Sequence, residues 1–310
     1  MAAEPGPVLL TGAGGFVGAA LVRALAARSR AVIATDRTAM DFAGLPSVTA
    51  IPGELDDPAL IARLAARPIS AVVHLATVPG GAAEAEPALA ARVNLAAAMA
   101  LFDATAAHGN VPRLLFASSI AVFGDALPPH VDDTTPPRPM LRYGAHKAML
   151  EEWVATLTRR GAVRGLSVRL PGIVARPAAP SGMKSAFLSN LFHALKAGEP
   201  ITLPVSAEAT AWLLSRRALV EQLATALDCP ADPPSTRLNL PALRVRMGDL
   251  VEEVARQTGA DPSLAGHDPD PTIEAAFGAQ PPLATPAADA LGLVHDGDLS
   301  ALVSRALADL

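Results

Sequence analysis

The sequence predicts an α/β fold, a doubly wound parallel sheet with a small C-terminal substrate-binding lobe, and three observations carry this. Short apolar runs alternate with helix-length amphipathic stretches up to about residue 175, the pattern of a parallel sheet with helices on both faces. The first apolar run opens straight into a glycine-rich turn and an alanine-rich helix. Beyond residue 175 segments rich in Pro, Ala and Gly (Arg176 to Gly182, Cys229 to Ser235, Gly278 to Pro286) break the alternation.

In order, Val8-Leu9-Leu10 reads as the first strand and Ala19 to Arg28 as the helix after its turn. Ala31 to Thr35 and Val48 to Ile51 give the second and third strands, and Pro58 to Ala66 a helix. Ala71 to Leu75 is the fourth strand, Leu89 to Ala107 a long helix, and Leu114 to Ala117 the fifth strand. Met140 to Arg160 is a helix and Leu166 to Leu170 the sixth strand. Ser185 to Gly198, Arg216 to Leu227, Met247 to Gly259 and Asp298 to Leu307 are helices of the second lobe. A nucleotide domain over 1–175 and a lobe over 176–310 follow, with strands free to return to the main sheet.

Gly12, Gly15 and Gly18 fall in a G-x-x-G-x-x-G turn that also holds Phe16 and Val17. Glycines let the backbone approach a pyrophosphate at a helix N-terminus, where free N–H groups and the dipole favour anions. The nucleotide fold is therefore Rossmann-type. Asp36 ends the second strand, where a carboxylate accepts from ribose hydroxyls and repels a 2′-phosphate. NAD is expected over NADP, although Arg37 next door is a cation that a 2′-phosphate could use.

A net charge of −5 offers no basic surface to nucleic acid. The single cysteine, Cys229, excludes an internal disulfide framework, and the His, Asp and Glu residues show no metal-ligand spacing. No run of about 18 uncharged apolar residues free of Pro and Gly is evident. The first seven residues lack the basic region and apolar core of a secretory signal. A cytoplasmic protein with no membrane partner is expected.

Tyr143 is the only tyrosine, and Lys147 lies four positions on. Residues i and i+4 share a helix face, so an ammonium there would pull the phenol pKa down towards working pH. Such a tyrosine can take a proton from an alcohol while a hydride leaves the same carbon. An ordinary pair on an amphipathic helix shows the same spacing, so the motif gains weight from what surrounds it.

The glycine loop, His74-Leu75-Ala76-Thr77, Asn94, Ser118 to Gly124, Tyr143…Lys147 and Arg169-Leu170-Pro171-Gly172 occur in one order. Together they resemble the extended short-chain dehydrogenase/reductase family, in its sugar epimerase/dehydratase-like branch. Leu203 to Ser206, Thr210 to Ser215, Arg217 and the run Arg169 to Pro177 look like the D-erythronate dehydrogenase group of that family. This group oxidises the 2-hydroxyl of a four-carbon sugar acid to the 2-oxo acid with NAD.

The resemblance implies Tyr143 as general base, Lys147 as its partner on the nicotinamide ribose, and Ser119 on the reacting oxygen. It implies Leu75, Ala76 and Thr77 along the cofactor, Pro171 beside the nicotinamide, and Asn94 as an organiser behind them. Glu54 and Leu55 would serve adenine, Glu54 standing where relatives carry aspartate. Arg217 is expected to grip the substrate carboxylate, with Thr210 and Ser185 donating hydroxyls and Arg176 as competitor. Trp212 is divided between pocket wall and packing. A homodimer through Leu89–Ala107 and Met140–Arg160 is implied as well. The alternatives are a sugar-nucleotide epimerase or dehydratase with tightly held NAD, and a non-catalytic nucleotide-binding regulator.

Overall fold

Val8, Leu9 and Leu10 are fully buried, because their strand runs through the middle of the sheet in the computed structural model, which describes residues 6–177, 184–229 and 235–310. That strand, β1 (Val8–Thr11), leads into α1 (Phe16–Ala27), β2 (Val32–Thr35), β3 (Val48–Ala50), α2 (Pro58–Leu64) and β4 (Ala71–His74). After α3 (Gly80–Ala85) comes one long helix in three parts: α4 (Pro87–Ala91), a π turn (Arg92–Ala97) and α5 (Ala98–Ala106). The expected pattern then continues with β5 (Arg113–Ser119), α6 (Arg142–Arg159) and β6 (Arg164–Leu170).

The later residues form β7 (Gly172–Val174), α7 (Phe187–Ala197), β8 (Ile201–Leu203), β9 (Thr210–Ser215) and α8 (Arg216–Asp228). They continue as β10 (Arg237–Asn239), β11 (Leu243–Arg246), α9 (Met247–Thr258) and β12 (Ala265–His267). Three helices end the chain: α10 (Pro271–Phe277), α11 (Pro286–Ala290) and α12 (Leu299–Ala308).

The main sheet has the order β10-β6-β5-β4-β1-β2-β3, and every pairing is parallel. The order reverses between β1 and β4, and a crevice opens there at the strands' carboxyl ends, where such sheets bind ligands. Leu21, Val22 and Leu25 of α1 pack with Leu219 and Leu223 of α8 on one face. Leu60, Leu101, Phe102, Leu150 and Val154 cover the other.

The boundary near residue 175 is crossed repeatedly, by α8 as well as by the segments that follow. Strand β10 pairs with β6, and Leu238, Leu240, Ala287 and Ala288 join the core beneath α1. The second lobe proper has its own core, where α7, α9 and α12 meet around Phe192, Leu213, Leu250 and Leu302. Of the segments read as breaks, residues 178–183 and 230–234 lie outside the described residues.

One helix, Pro87–Ala106, is long and apolar enough by length and composition to cross a membrane, which the sequence reading did not single out. Its Ala97, Ala98, Leu101 and Phe102 are buried against the sheet, which accounts for one side of the helix.

Candidate active site

The glycine turn after β1 is shaped by close approach. Gly12 has φ +72°, and a Cβ there would lie 2.7 Å from the Ala76 nitrogen across the crevice. A Cβ on Gly18 would lie 2.0 Å from the Gly12 carbonyl oxygen, and one on Gly14 would lie 2.6 Å from Thr38 Oγ1. Side chains would fill the cradle, so glycine keeps it open. Gly15 begins α1 without a side-chain cap, which leaves first-turn N–H donors, on residues that include Phe16 and Val17, for an anion.

Asp36 sits at the lip. Its Oδ2 accepts from the Gly14 N–H at 3.0 Å, and its Oδ1 accepts from the N–H and hydroxyl of Thr38, each at 2.9 Å. The carboxylate remains partly open to solvent and Arg37 is exposed. The Gly53 N–H donates to the Asp36 carbonyl at 3.0 Å, which brings Gly53-Glu54-Leu55 alongside, with Glu54 exposed and Leu55 buried.

Across the crevice the Leu75 N–H donates to the Thr11 carbonyl at 3.2 Å. Asn94 is buried and holds both backbone groups of Val78, accepting from its N–H at 2.7 Å and donating to its carbonyl at 3.0 Å. The Thr77 hydroxyl donates to Asn94 Oδ1 at 3.2 Å. Asn94 lies in the π turn, an irregularity that recurs at functional sites. Open cradle, uncapped helix and acidic lip fit the phosphates and ribose of NAD.

Tyr143 is the second residue of α6, and two neighbours fix where that helix starts. A Cβ on Gly144 would lie 2.3 Å from the Ala121 oxygen, so α6 presses on the turn that follows Ser119. Leu141 supplies no side-chain cap; Glu84 of α3 accepts from the Arg142 N–H at 2.6 Å instead. Ser119 Oγ accepts from the Ala121 N–H at 3.1 Å and stands within hydrogen-bonding reach of the phenol. Pro171 is buried at the turn from β6 into β7.

Lys147 is buried, and its ammonium donates to the Ala117 carbonyl at 2.7 Å. The nitrogen lies 4.8 Å from the Phe116 ring centre and 5.4 Å from that of Tyr143. Burial lowers its pKa to about 7, against the pull of Glu151. The expectation that Lys147 would depress the phenol pKa is corrected here: burial raises that pKa, and what opposes burial is the Arg176 cation, then the Ser119 hydroxyl.

Glu151, one helical turn beyond Lys147, escaped the sequence reading although its i+4 spacing was visible. Both it and Arg169 are about 1% exposed and form a two-pronged ion pair, with Arg169 Nε to Oε1 at 2.9 Å and Nη2 to Oε2 at 2.8 Å. The Ser118 hydroxyl donates to the same carboxylate at 2.5 Å. Helix α6, β5 and β6 are thereby locked in register beneath Lys147. His74 pairs with Thr11 Oγ1 at 2.9 Å and packs on Phe102 and Phe116, as a strand-end structural histidine does.

The expected substrate residues divide. The Arg217 side chain is 68% exposed and its Nε binds Glu221 one turn on, at 3.1 Å, the contact of a surface arginine at a helix start. The Thr210 hydroxyl donates to the Gln280 carbonyl at 2.8 Å and accepts from Arg244 at 3.3 Å, tying β9 to the chain beside it. Trp212 is 1% exposed, donates its indole N–H to the Pro281 carbonyl at 2.7 Å, and packs behind Val122 and Phe123. Ser185 is half-buried in the short turn Lys184–Ala186 ahead of α7.

Arg176 is the cation that faces Tyr143. The buried Ala175 before it adopts φ +56°, a left-handed conformation costly for a residue with a Cβ. The Arg176 N–H donates to Ser189 Oγ at 3.2 Å, its carbonyl accepts from His193 Nε2 at 2.7 Å, and its Nε donates to the Ile173 carbonyl at 3.2 Å. These bonds turn the chain out of β7 and fix the base of the side chain.

Comparison with known proteins finds the same elements elsewhere. The model of the NAD dependent epimerase/dehydratase family matches residues 8–237. The chain is 36% identical over 265 residues to D-erythronate dehydrogenase of Cupriavidus necator, covering 81% of this chain and 82% of that one. It is 30% identical over 260 residues to D-erythronate dehydrogenase of Haemophilus influenzae, with the same coverage. Its backbone is similar, with a TM-score of 0.87 and 27% identity, to the crystal structure of the nucleoside-diphosphate-sugar epimerase from Agrobacterium tumefaciens, covering 96% of this chain and 92% of that one.

Proposed function

The chain belongs to the NAD dependent epimerase/dehydratase family, and from that premise we propose that it oxidises the 2-hydroxyl of a small, D-erythronate-like sugar acid to the 2-oxo acid. It is an NAD-dependent dehydrogenase, as its likeness to two D-erythronate dehydrogenases supports. The carrying observation is the cluster around Tyr143: a half-buried phenol, in reach of the Ser119 hydroxyl and within the field of the Arg176 cation.

Bound NAD would supply the hydride acceptor, held by the cradle of Gly12, Gly15 and Gly18, by Asp36 on the adenosine ribose, and by Thr77 and Pro171 nearer the nicotinamide. Ser119 orients the substrate hydroxyl, and Tyr143 takes its proton as the carbonyl forms. Lys147 keeps two N–H donors beyond the one given to Ala117, and these serve the nicotinamide ribose. Arg176 takes over the carboxylate role expected of Arg217, since a guanidinium fork matches a carboxylate. Its charge then acts twice, holding the acid and favouring the phenolate that removes the proton. Ser185, at the start of α7, is offered as a hydroxyl donor to the sugar acid.

The test is a panel of four- to six-carbon sugar acids and UDP-sugars, followed by NADH absorbance. Oxidation of a 2-hydroxy acid supports this reading. Activity confined to UDP-sugars would replace it with the epimerase or dehydratase chemistry of other family members, and silence with every substrate despite tight NAD binding would favour a regulator.

A further inference from the structure

Phe16 is the first residue of α1, directly after the glycine cradle, and its ring lies under a cation. The Arg216 guanidinium carbon is 4.7 Å from the ring centroid. Arg216 in turn is the first residue of α8, which packs beside α1. Its place is fixed by Ser215, whose hydroxyl accepts from the Ala218 N–H at 3.1 Å and donates to the buried Asp296 at 2.6 Å. Asp309, the residue that ends α12, binds two nitrogens of the guanidinium, Nε at 3.0 Å and Nη2 more closely. Arg216 Nη1 has no hydrogen-bond partner among the described residues, and the side chain is 26% exposed.

We propose that Arg216 is a cofactor-binding residue, whose guanidinium, clamped between Phe16 and Asp309, engages the diphosphate of the dinucleotide at the start of α1. This rests on the NAD reading above and adds a residue to it. A dinucleotide diphosphate carries two negative charges, and the cradle offers it only neutral backbone donors. The guanidinium over Phe16, the first residue after that cradle, shares its charge with Asp309 and brings its remaining Nη1 donor, in a geometry suited to a phosphate oxygen. The Phe16 face and the Asp309 carboxylate hold the side chain beforehand, so little rotamer freedom is left to lose on binding. The C-terminal helix thereby becomes part of the nucleotide site through one ion pair. Neighbouring Arg217, about 100° round the helix, is exposed and pairs with Glu221.

Affinity for NAD, ADP-ribose and adenosine, measured by calorimetry or ligand-observed NMR on the whole protein, separates the diphosphate from the rest of the ligand. Arg216→Met keeps apolar packing on Phe16 and removes the charge. The dissociation constants of NAD and ADP-ribose should rise about tenfold or more, while that of adenosine stays as in the wild type. Arg216→Lys should recover part of the loss, and Arg217→Met should change none of the three. Arg216→Gln, which still donates to Asp309, answers the same question if the methionine variant does not fold. Unchanged NAD affinity in a neutral variant overturns the proposal, as does an equal loss for adenosine, which would mark Arg216 as a prop for the fold. A wild-type protein that binds none of the three would sink the NAD reading itself.

Discussion

Lys147 and Tyr143 share one face of α6 without sharing a hydrogen bond: the ammonium donates at 2.7 Å to the Ala117 carbonyl and lies 5.4 Å from the centre of the phenol ring. The carbonyl ties the ammonium to β5, two residues before Ser119. Burial shifts both groups towards their neutral forms, Tyr143 upward and Lys147 down to about 7. For Tyr143 to serve as the base proposed above, bound ligands must restore charge to the phenol.

Removing the phenol hydroxyl isolates its role. Tyr143→Phe should bind NAD as the wild type does and lose about a hundredfold or more in kcat, the contribution of a positioned general base. Retention of most of the turnover would show that another group takes the proton.

Arg176 and Arg217 make opposite forecasts. Arg176→Met should raise KM for the sugar acid by about 30-fold or more, the loss of a charge-assisted contact, whereas Arg217→Met should stay near wild type because its partner is an exposed glutamate. Arg176 also lowers the Tyr143 pKa, so its removal should move the ascending limb of the kcat–pH profile to higher pH. An unmoved limb would detach Arg176 from the phenol.

The lip of the crevice is expected to set cofactor choice by repulsion as well as attraction. Asp36→Ala should weaken NAD and relax the rejection of NADP, read as the ratio of kcat/KM for the two. A wild-type preference for NADP would mean that the exposed Arg37 outweighs the carboxylate.

His74 should make the fold acid-sensitive. Its burial among Phe102 and Phe116 holds the pKa at about 3 against an ordinary 6.5. Between those values the unfolded chain binds the extra proton and the native state does not, so stability falls as pH drops from 6.5 towards 3. The slope is at most about 1.4 kcal/mol per pH unit. His74→Gln should lack that part of the slope in denaturant melts across the same range. Parallel curves would acquit His74.

Assembly is open to a direct measurement. On α6 Met149 is 58% exposed, and Met140 just before the helix is 70% exposed. Together with the helix Pro87–Ala106 this face is expected to meet its copy about a two-fold axis. Sedimentation at micromolar concentration should give the mass of two chains, and Met149→Glu should shift it towards one.

Six strands of the main sheet could be read from the sequence because each is a short run with apolar residues: β1, β2, β4, β5 and β6 are buried, while β3 lies more exposed at the edge. Strand β10 could not: Arg237-Leu238-Asn239 gains its place only by pairing with β6, and nothing local announces that. Within the site, the glycine turn, Asp36 and the Ser119, Tyr143, Lys147 set sit on strand ends and one helix face, where spacing carries position. Arg216 and Arg217 show the limit. Neighbours on a helix point about 100° apart, and composition does not reveal which one faces inward; the ring of Phe16, two hundred residues earlier, decides it.

Because β10 enters the sheet only after the second lobe has been threaded, the nucleotide domain is not a contiguous piece of chain. A fragment ending near residue 175 would leave the β6 edge unpaired and strip α8 from the apolar flank of α1. During synthesis the sheet stays incomplete until Asn239 has left the ribosome, so its hydrophobic face waits through the making of α7, β9 and α8. Chain order thus imposes a stretch of exposure on the half-built protein, and it argues against swapping the two lobes between relatives by a single cut.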